Sequence, residues 1–231
     1  VAGSTVRLRG PSGSPVAVRL PDEARVTSVA AEIRFAGGAY SRGFQIGPRG
    51  YHEFARRELL GATATDRFPA AGREVVVATT SDRDTTIVSW LGPYHELMTV
   101  FSGPAPSRET LAGLFGGLDL DDAPSGLRVR APLESVQERI TLSVDGRGVV
   151  TVPGPATAAR SVPRHRGAPT AHGELWRLVL PGREGSTDVH DHLYVLAGPR
   201  GAAEVQLSRE SVATPEELLA WVSGISVEWA A

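Results

Sequence analysis

One helix-then-strand segment is written twice in this chain, and that constrains the fold more than any other feature. Residues 107–121 (SRETLAGLFGGLDLD) align without a gap on residues 214–228 (TPEELLAWVSGISVE). Three further matches follow the same order. Residues 16–21 (VAVRLP) match 127–132 (LRVRAP), residues 88–93 (VSWLGP) match 194–199 (YVLAGP), and an apolar run follows each Gly-Pro. A repeated period must be recognised before any element is assigned, because it sets the architecture of the whole chain. The expected fold is α+β: two tandem repeats, each a mainly antiparallel sheet with one short helix on its C-terminal side, related by pseudo-twofold symmetry. The expected divisions are a flexible or edge-strand arm over 1–15, repeat 1 over 16–122 and repeat 2 over 123–231.

The pattern within each repeat supports that class. Val29, Ala31, Ile33 and Phe35 alternate with Ala30, Glu32 and Arg34, the period of a half-buried strand. Ile140, Leu142 and Val144 alternate likewise, and Asp145-Gly146 supplies a hairpin turn. Residues 51–60 read as a short helix and 62–72 as a loop. Ser107 caps a helix whose Leu111, Leu114, Phe115 and Leu118 form one apolar stripe. Thr214, Pro215 and Glu217 give the second helix a cap, a proline in its first turn and a capping box, and its stripe carries Trp221. Residues 121–126 read as a short connection between the repeats.

Composition excludes several functions. The 24 basic residues are all Arg, with no Lys, and the net charge is −2, which argues against a nonspecific nucleic-acid binder. The absence of Cys removes disulfides, thiolate metal sites and a thiol nucleophile. No apolar run approaches the length needed to span a bilayer, so no membrane insertion is expected. A soluble protein follows, with the cytoplasm favoured over secretion after signal removal. The G-x-S-x-G elbow, the H-E-x-x-H pair, the Walker loop and the G-x-G-x-x-G fingerprint are all missing.

Two clusters stand out chemically. Asp188, His190 and His192 form a metal-like group, because residues two apart on a strand share a face; His172 or Glu174 could complete it. The same stretch also reads as a polar hairpin tip, and the other repeat places Asp84 and Thr86 opposite the two histidines. Arg56 and Arg57 in one repeat, and Arg160, Arg164 and Arg166 in the other, suit an acidic partner or an anion, or are simply solvated. Asp119 to Asp122 reads as a solvated carboxylate run at the repeat junction. Trp229, near the end of a terminal strand, is a candidate partner anchor if exposed and a packing residue if covered. His52-Glu53 and His95-Glu96 carry no fixed mutual geometry.

These observations favour a non-catalytic protein-binding or assembly module built from the duplicated unit, with a protein or peptide partner and no cofactor. The alternative is an enzyme or a small-ligand or metal-binding protein, with its site at the inter-repeat junction or around His190 and His192.

Overall fold

A computed structural model describes residues 3–22 and 24–230 of the chain. Val1 and Ala2 of the expected arm, and Ala231 at the end of the second repeat, lie outside the described residues. The first half contains β1 (Ser4–Arg9), β2 (Pro15–Leu20), β3 (Val26–Phe35), β4 (Gly43–Pro48) and α1 (Tyr51–Phe54), which continues as a π-helical turn over Ala55–Leu59. It goes on through β5 (Thr63–Ala70), β6 (Arg73–Thr79), β7 (Thr85–Leu91), β8 (His95–Ser102), α2 (Arg108–Gly116) and β9 (Asp119–Ala123). The second half runs β10 (Gly126–Arg130), β11 (Ser135–Val144), β12 (Gly148–Pro153), α3 (Pro155–Ser161), β13 (Ala168–Thr170) and β14 (Gly173–Val179). It closes with a 3-10 turn at Val189–Asp191, β15 (His192–Gly198), β16 (Gly201–Leu207), α4 (Pro215–Ser223) and β17 (Ser226–Trp229). The protein is thus sheet-rich α+β, with antiparallel strand pairs and short helices.

The chain forms two compact units. One comprises Val1–Leu8, Ser14–Val29 and Arg139–Ala231; the other comprises Arg9–Gly13 and Ala30–Glu138. In the second of these the strands follow the order β3-β4-β8-β7-β6-β5, with a separate hairpin of β9 and β10. In the first they follow β11-β12-β16-β15-β14-β13, with β1, β2 and β17 in a small sheet of their own. No described helix is long and apolar enough to cross a membrane.

Strand alternation gives the Ala30–Glu138 unit two apolar layers. Val75, Val77, Val88, Trp90 and Leu97 pack in one cluster with Leu111, Leu114 and Phe115 of α2. Their strand neighbours Ala78, Ile87 and Met98 form a smaller cluster with Ala55 and Ala62, with Tyr51 packed against it. One face of this sheet is therefore covered by large side chains and the other mainly by small ones, so the second cover rests on far less buried apolar area. In the other unit, Trp221 is buried on α4 and donates its indole N–H to Asp22 Oδ1 at 3.1 Å.

The helix punctuation works as its residues dictate. Ser107 Oγ accepts from Thr110 N at 3.2 Å. Thr214 Oγ1 accepts from Glu217 N at 3.2 Å, while Glu217 returns a carboxylate oxygen to Thr214 N at 2.8 Å. We expect Thr214→Ala to cost about 1 kcal/mol, read as a shifted denaturant midpoint with an unchanged slope. A stability unchanged within error would mean that packing alone holds α4.

Three expectations change. Residues 63–70 are a strand rather than a loop. Phe68 is its one fully covered side chain, and the polar residues around it suit a strand that ends its sheet. Residues 119–123 pair with β10, so much of the stretch read as a connection is ladder. Residues 155–161 form a helix that its Ala-rich sequence, without an apolar stripe, does not announce.

Candidate functional site

The segment Tyr51–Leu59 brings the least expected chemistry together. Its entry requires glycine twice. Gly50 sits at φ 92 in the left-handed region, and a β-carbon on Gly47 would overlap the Tyr51 ring. Glycine at the cap offers no side-chain oxygen to the free N–H groups of the first turn. Glu96 of β8 supplies them instead: its carboxylate accepts from Gly50 N at 2.9 Å and from His52 N at 2.6 Å. Glu96 is buried, and these two charge-assisted bonds engage both its oxygens.

The His52 side chain runs inward and is 2% exposed. Its Nδ1 lies 2.8 Å from Ser89 Oγ of β7, and no described group partners Nε2. Burial pushes this imidazole below its usual value, against the opposing pull of Glu53 and Glu96. Ser89 is completely covered, so the Ser–His pair is closed off from the surface.

Beyond Phe54 the helix widens. Leu60 N bonds Ala55 O five residues back, at 3.1 Å. This turn leaves Phe54, Leu59 and Leu60 exposed at 52%, 61% and 37%, a set of large apolar side chains within seven residues. Arg57 stands beside them, 66% exposed, with Nε 3.1 Å from Glu53. Arg56 is mostly covered; it pairs with Glu53 at 2.6 Å and reaches Ala62 O at 3.3 Å. The hydrogen bond from Arg56 holds the Glu53 carboxyl below its ordinary range.

The other arginines lie in the other compact unit. Arg160 is exposed in the last turn of α3, and Arg164 and Arg166 are exposed in the segment leading to β13. Trp229 is not an exposed anchor. It is 5% exposed, and its indole N–H donates to Pro153 O at 3.2 Å, because β17 pairs with β2 and turns that face inward.

Asp188, His190 and His192 do not share one strand face. A 3-10 turn holds His190, whereas His192 opens β15 and is buried, its Nδ1 2.7 Å from Asp188 O. Asp188 Oδ1 caps the turn by accepting from His190 N at 2.9 Å. Arg209 reaches both Asp188 and Asp191, and Asp191 also accepts from Ser186 Oγ at 2.6 Å. Arginines and the turn backbone thus engage these carboxylates, and among the described residues no three His, Asp or Glu side chains converge on a metal site. Of the two residues expected as a further ligand, Glu174 accepts from Gly167 N at 3.2 Å and His172 is exposed in a hairpin turn. Both line a cleft of about 440 Å³ where Arg200 and Glu228 neutralise each other at 2.7 Å.

The carboxylate run 119–122 is not uniformly solvated. The Asp122 side chain is 4% exposed; it accepts from Tyr94 N at 2.9 Å and His95 N at 3.1 Å, and meets His95 Nδ1 at 2.7 Å. It fixes the β7–β8 turn. Comparison with known proteins found no matching family model, curated protein or solved structure.

Proposed function

We propose that this chain is a duplicated α+β unit acting as a non-catalytic protein-binding module, with the outer face of residues 51–60 as its contact surface. The observation that carries the reading is the exposed trio Phe54, Leu59 and Leu60 beside Arg57, on a segment whose inner side is fixed by Glu96 and His52. Large apolar side chains grouped on the surface beside an arginine are a feature of partner-contact surfaces.

Duplication is supported by strand order. Adding eight to each strand number converts β3-β4-β8-β7-β6-β5 into β11-β12-β16-β15-β14-β13. A short helix follows the second strand of each series, and a helix with an N-cap side chain precedes β9 and β17 alike. The first strand of each sequence repeat pairs with the last strand of the other, β2 with β17 and β10 with β9. Strand addition is the weaker mode of partner binding. The terminal strand β5 carries Pro69 and a register shift between Ala64 and Asp66, and both discourage pairing with a further chain.

The test is a photo-crosslinking amino acid at position 59, with the fully exposed position 212 as control. In cells of the source organism we expect a discrete adduct from position 59 and none from 212. No adduct at 59, or the same adducts from both positions, would refute the reading.

A further inference from the structure

We propose that the segment Tyr51–Leu59 is an acid-released latch: charging the buried His52 imidazole frees the segment from the sheet face it covers. The proposal starts from hydrogen-bond capacity. A neutral imidazole has one donor and one acceptor, whereas the imidazolium has two donors. Ser89 Oγ, 2.8 Å from Nδ1, can receive one of them. The second, at Nε2, is buried with no acceptor among the described residues.

The surrounding charges offset this only in part. Glu96 of β8 already spends its oxygens on Gly50 N and His52 N, and Glu53 of the same helix is held by Arg56 and Arg57. Glu53 and Glu96 attract the charged imidazole and Arg56 and Arg67 repel it, while burial remains the larger influence and disfavours the charge. The small cluster in which Ala55 of the segment meets Ala62, Ala78, Ile87 and Met98 is apolar. A buried charge without its full set of partners is expelled or neutralised. Apart from the Glu96 clamp at its start, the cover is two helical turns long and packs mainly small side chains, so it rests on little buried apolar area.

The sign follows from linkage. Burial lowers the His52 proton affinity in the closed state, while a released histidine titrates near 6.5. The open state therefore binds more protons once the pH falls below about 6.5, and closure weakens by at most tenfold per pH unit until the closed-state value is reached. Closure is fully favoured above that window. Release would bare Ile87 and Met98 next to the already exposed Phe54, Leu59 and Leu60. Acid thereby changes the contact surface, a consequence that rests on the docking reading proposed above, although the opening itself does not.

Hydrogen exchange of the intact protein at pH 7.5 and 5.5, corrected for intrinsic rates, tests the latch. We expect protection over 50–62 to fall by about tenfold while β6 stays protected, and His52→Gln to abolish the pH response. Unchanged protection over 50–62, a loss shared equally with β6, or a response that survives His52→Gln would each overturn the proposal. A second readout does not depend on that variant folding. The chain has no Cys, so Ala55→Cys introduces a single buried thiol. Its alkylation rate, normalised to Val212→Cys, should rise by about tenfold over the same interval; a constant ratio would overturn the latch. Opening with no discrete adduct at position 59 would sink the docking reading alone, and an adduct formed without opening would sink the latch alone.

Discussion

Glu96→Ala should destabilise the Ala30–Glu138 unit by about 1–4 kcal/mol, measured by urea denaturation at pH 7.5. The carboxylate accepts two backbone N–H groups at a helix start where glycine provides no cap. Removing it leaves the His52 N–H without an acceptor in a site that water does not reach, and the Gly50 N–H to be solvated at an exposed residue. Each unsatisfied buried donor costs about 1–3 kcal/mol, and the positive end of the short helix loses its counter-charge. Glu96→Gln preserves the shape but turns one acceptor into a donor, so it should fall between wild type and Glu96→Ala. A loss below about 0.5 kcal/mol for Glu96→Ala would show that the clamp is decorative and that α1 is held by packing alone.

Phe115→Ala should cost the same unit about 3–5 kcal/mol. Its ring is fully buried in the larger cluster, among residues of β6, β7, β8 and α2. Truncation removes the transfer energy of the ring and leaves a cavity that surrounding strands, fixed by their ladders, cannot close. Phe54→Ala makes the contrast. That ring is half exposed on the opposite cover, and its loss should stay within about 0.5 kcal/mol. Equal costs for the two would contradict the assignment of Phe54 to the surface and of Phe115 to the core. Calorimetry of both variants reads the difference directly.

Local signals in the sequence were reliable wherever the cause was local. Helices α2 and α4 were legible to within a residue, because their caps, apolar stripes and terminating glycines act on neighbours three or four positions away. The alternating strands β3 and β11 were legible for the same reason. Strand β5 was not. A strand that ends its sheet needs few apolar residues, and Thr63, Thr65, Asp66 and Arg67 look like loop until the partner β6 is known. Trp229 was ambiguous for a related reason: which side of β17 is covered depends on its pairing with β2, over two hundred residues earlier.

The candidate site was hidden for the same physical reason. His52-Glu53 and His95-Glu96 looked like scattered ionisable residues. Glu96 meets His52 only because β8 pairs with β4, whose end leads straight into α1. Asp122 looked solvated within its acidic run, yet tertiary folding delivers it to two N–H groups and an imidazole. The exposure of Phe54, Leu59 and Leu60 depends on a π turn, which breaks the helical period that sequence reading assumes. The Asp188–His192 stretch differed in the opposite direction: the spacing suggested one strand face, and a 3-10 turn stabilised by Asp188 itself holds His190 while His192 opens β15.

What the sequence determined alone was the α+β class, the two capped helices and the main strands, because hydrophobic period and capping are properties of adjacent residues. Which strands pair, which carboxylates are buried and which apolar side chains remain outside were decided only by tertiary structure. Those outcomes depend on groups more than forty residues apart, as in the carboxylate of Glu96 and the amide of His52, and no spacing along the chain encodes their meeting.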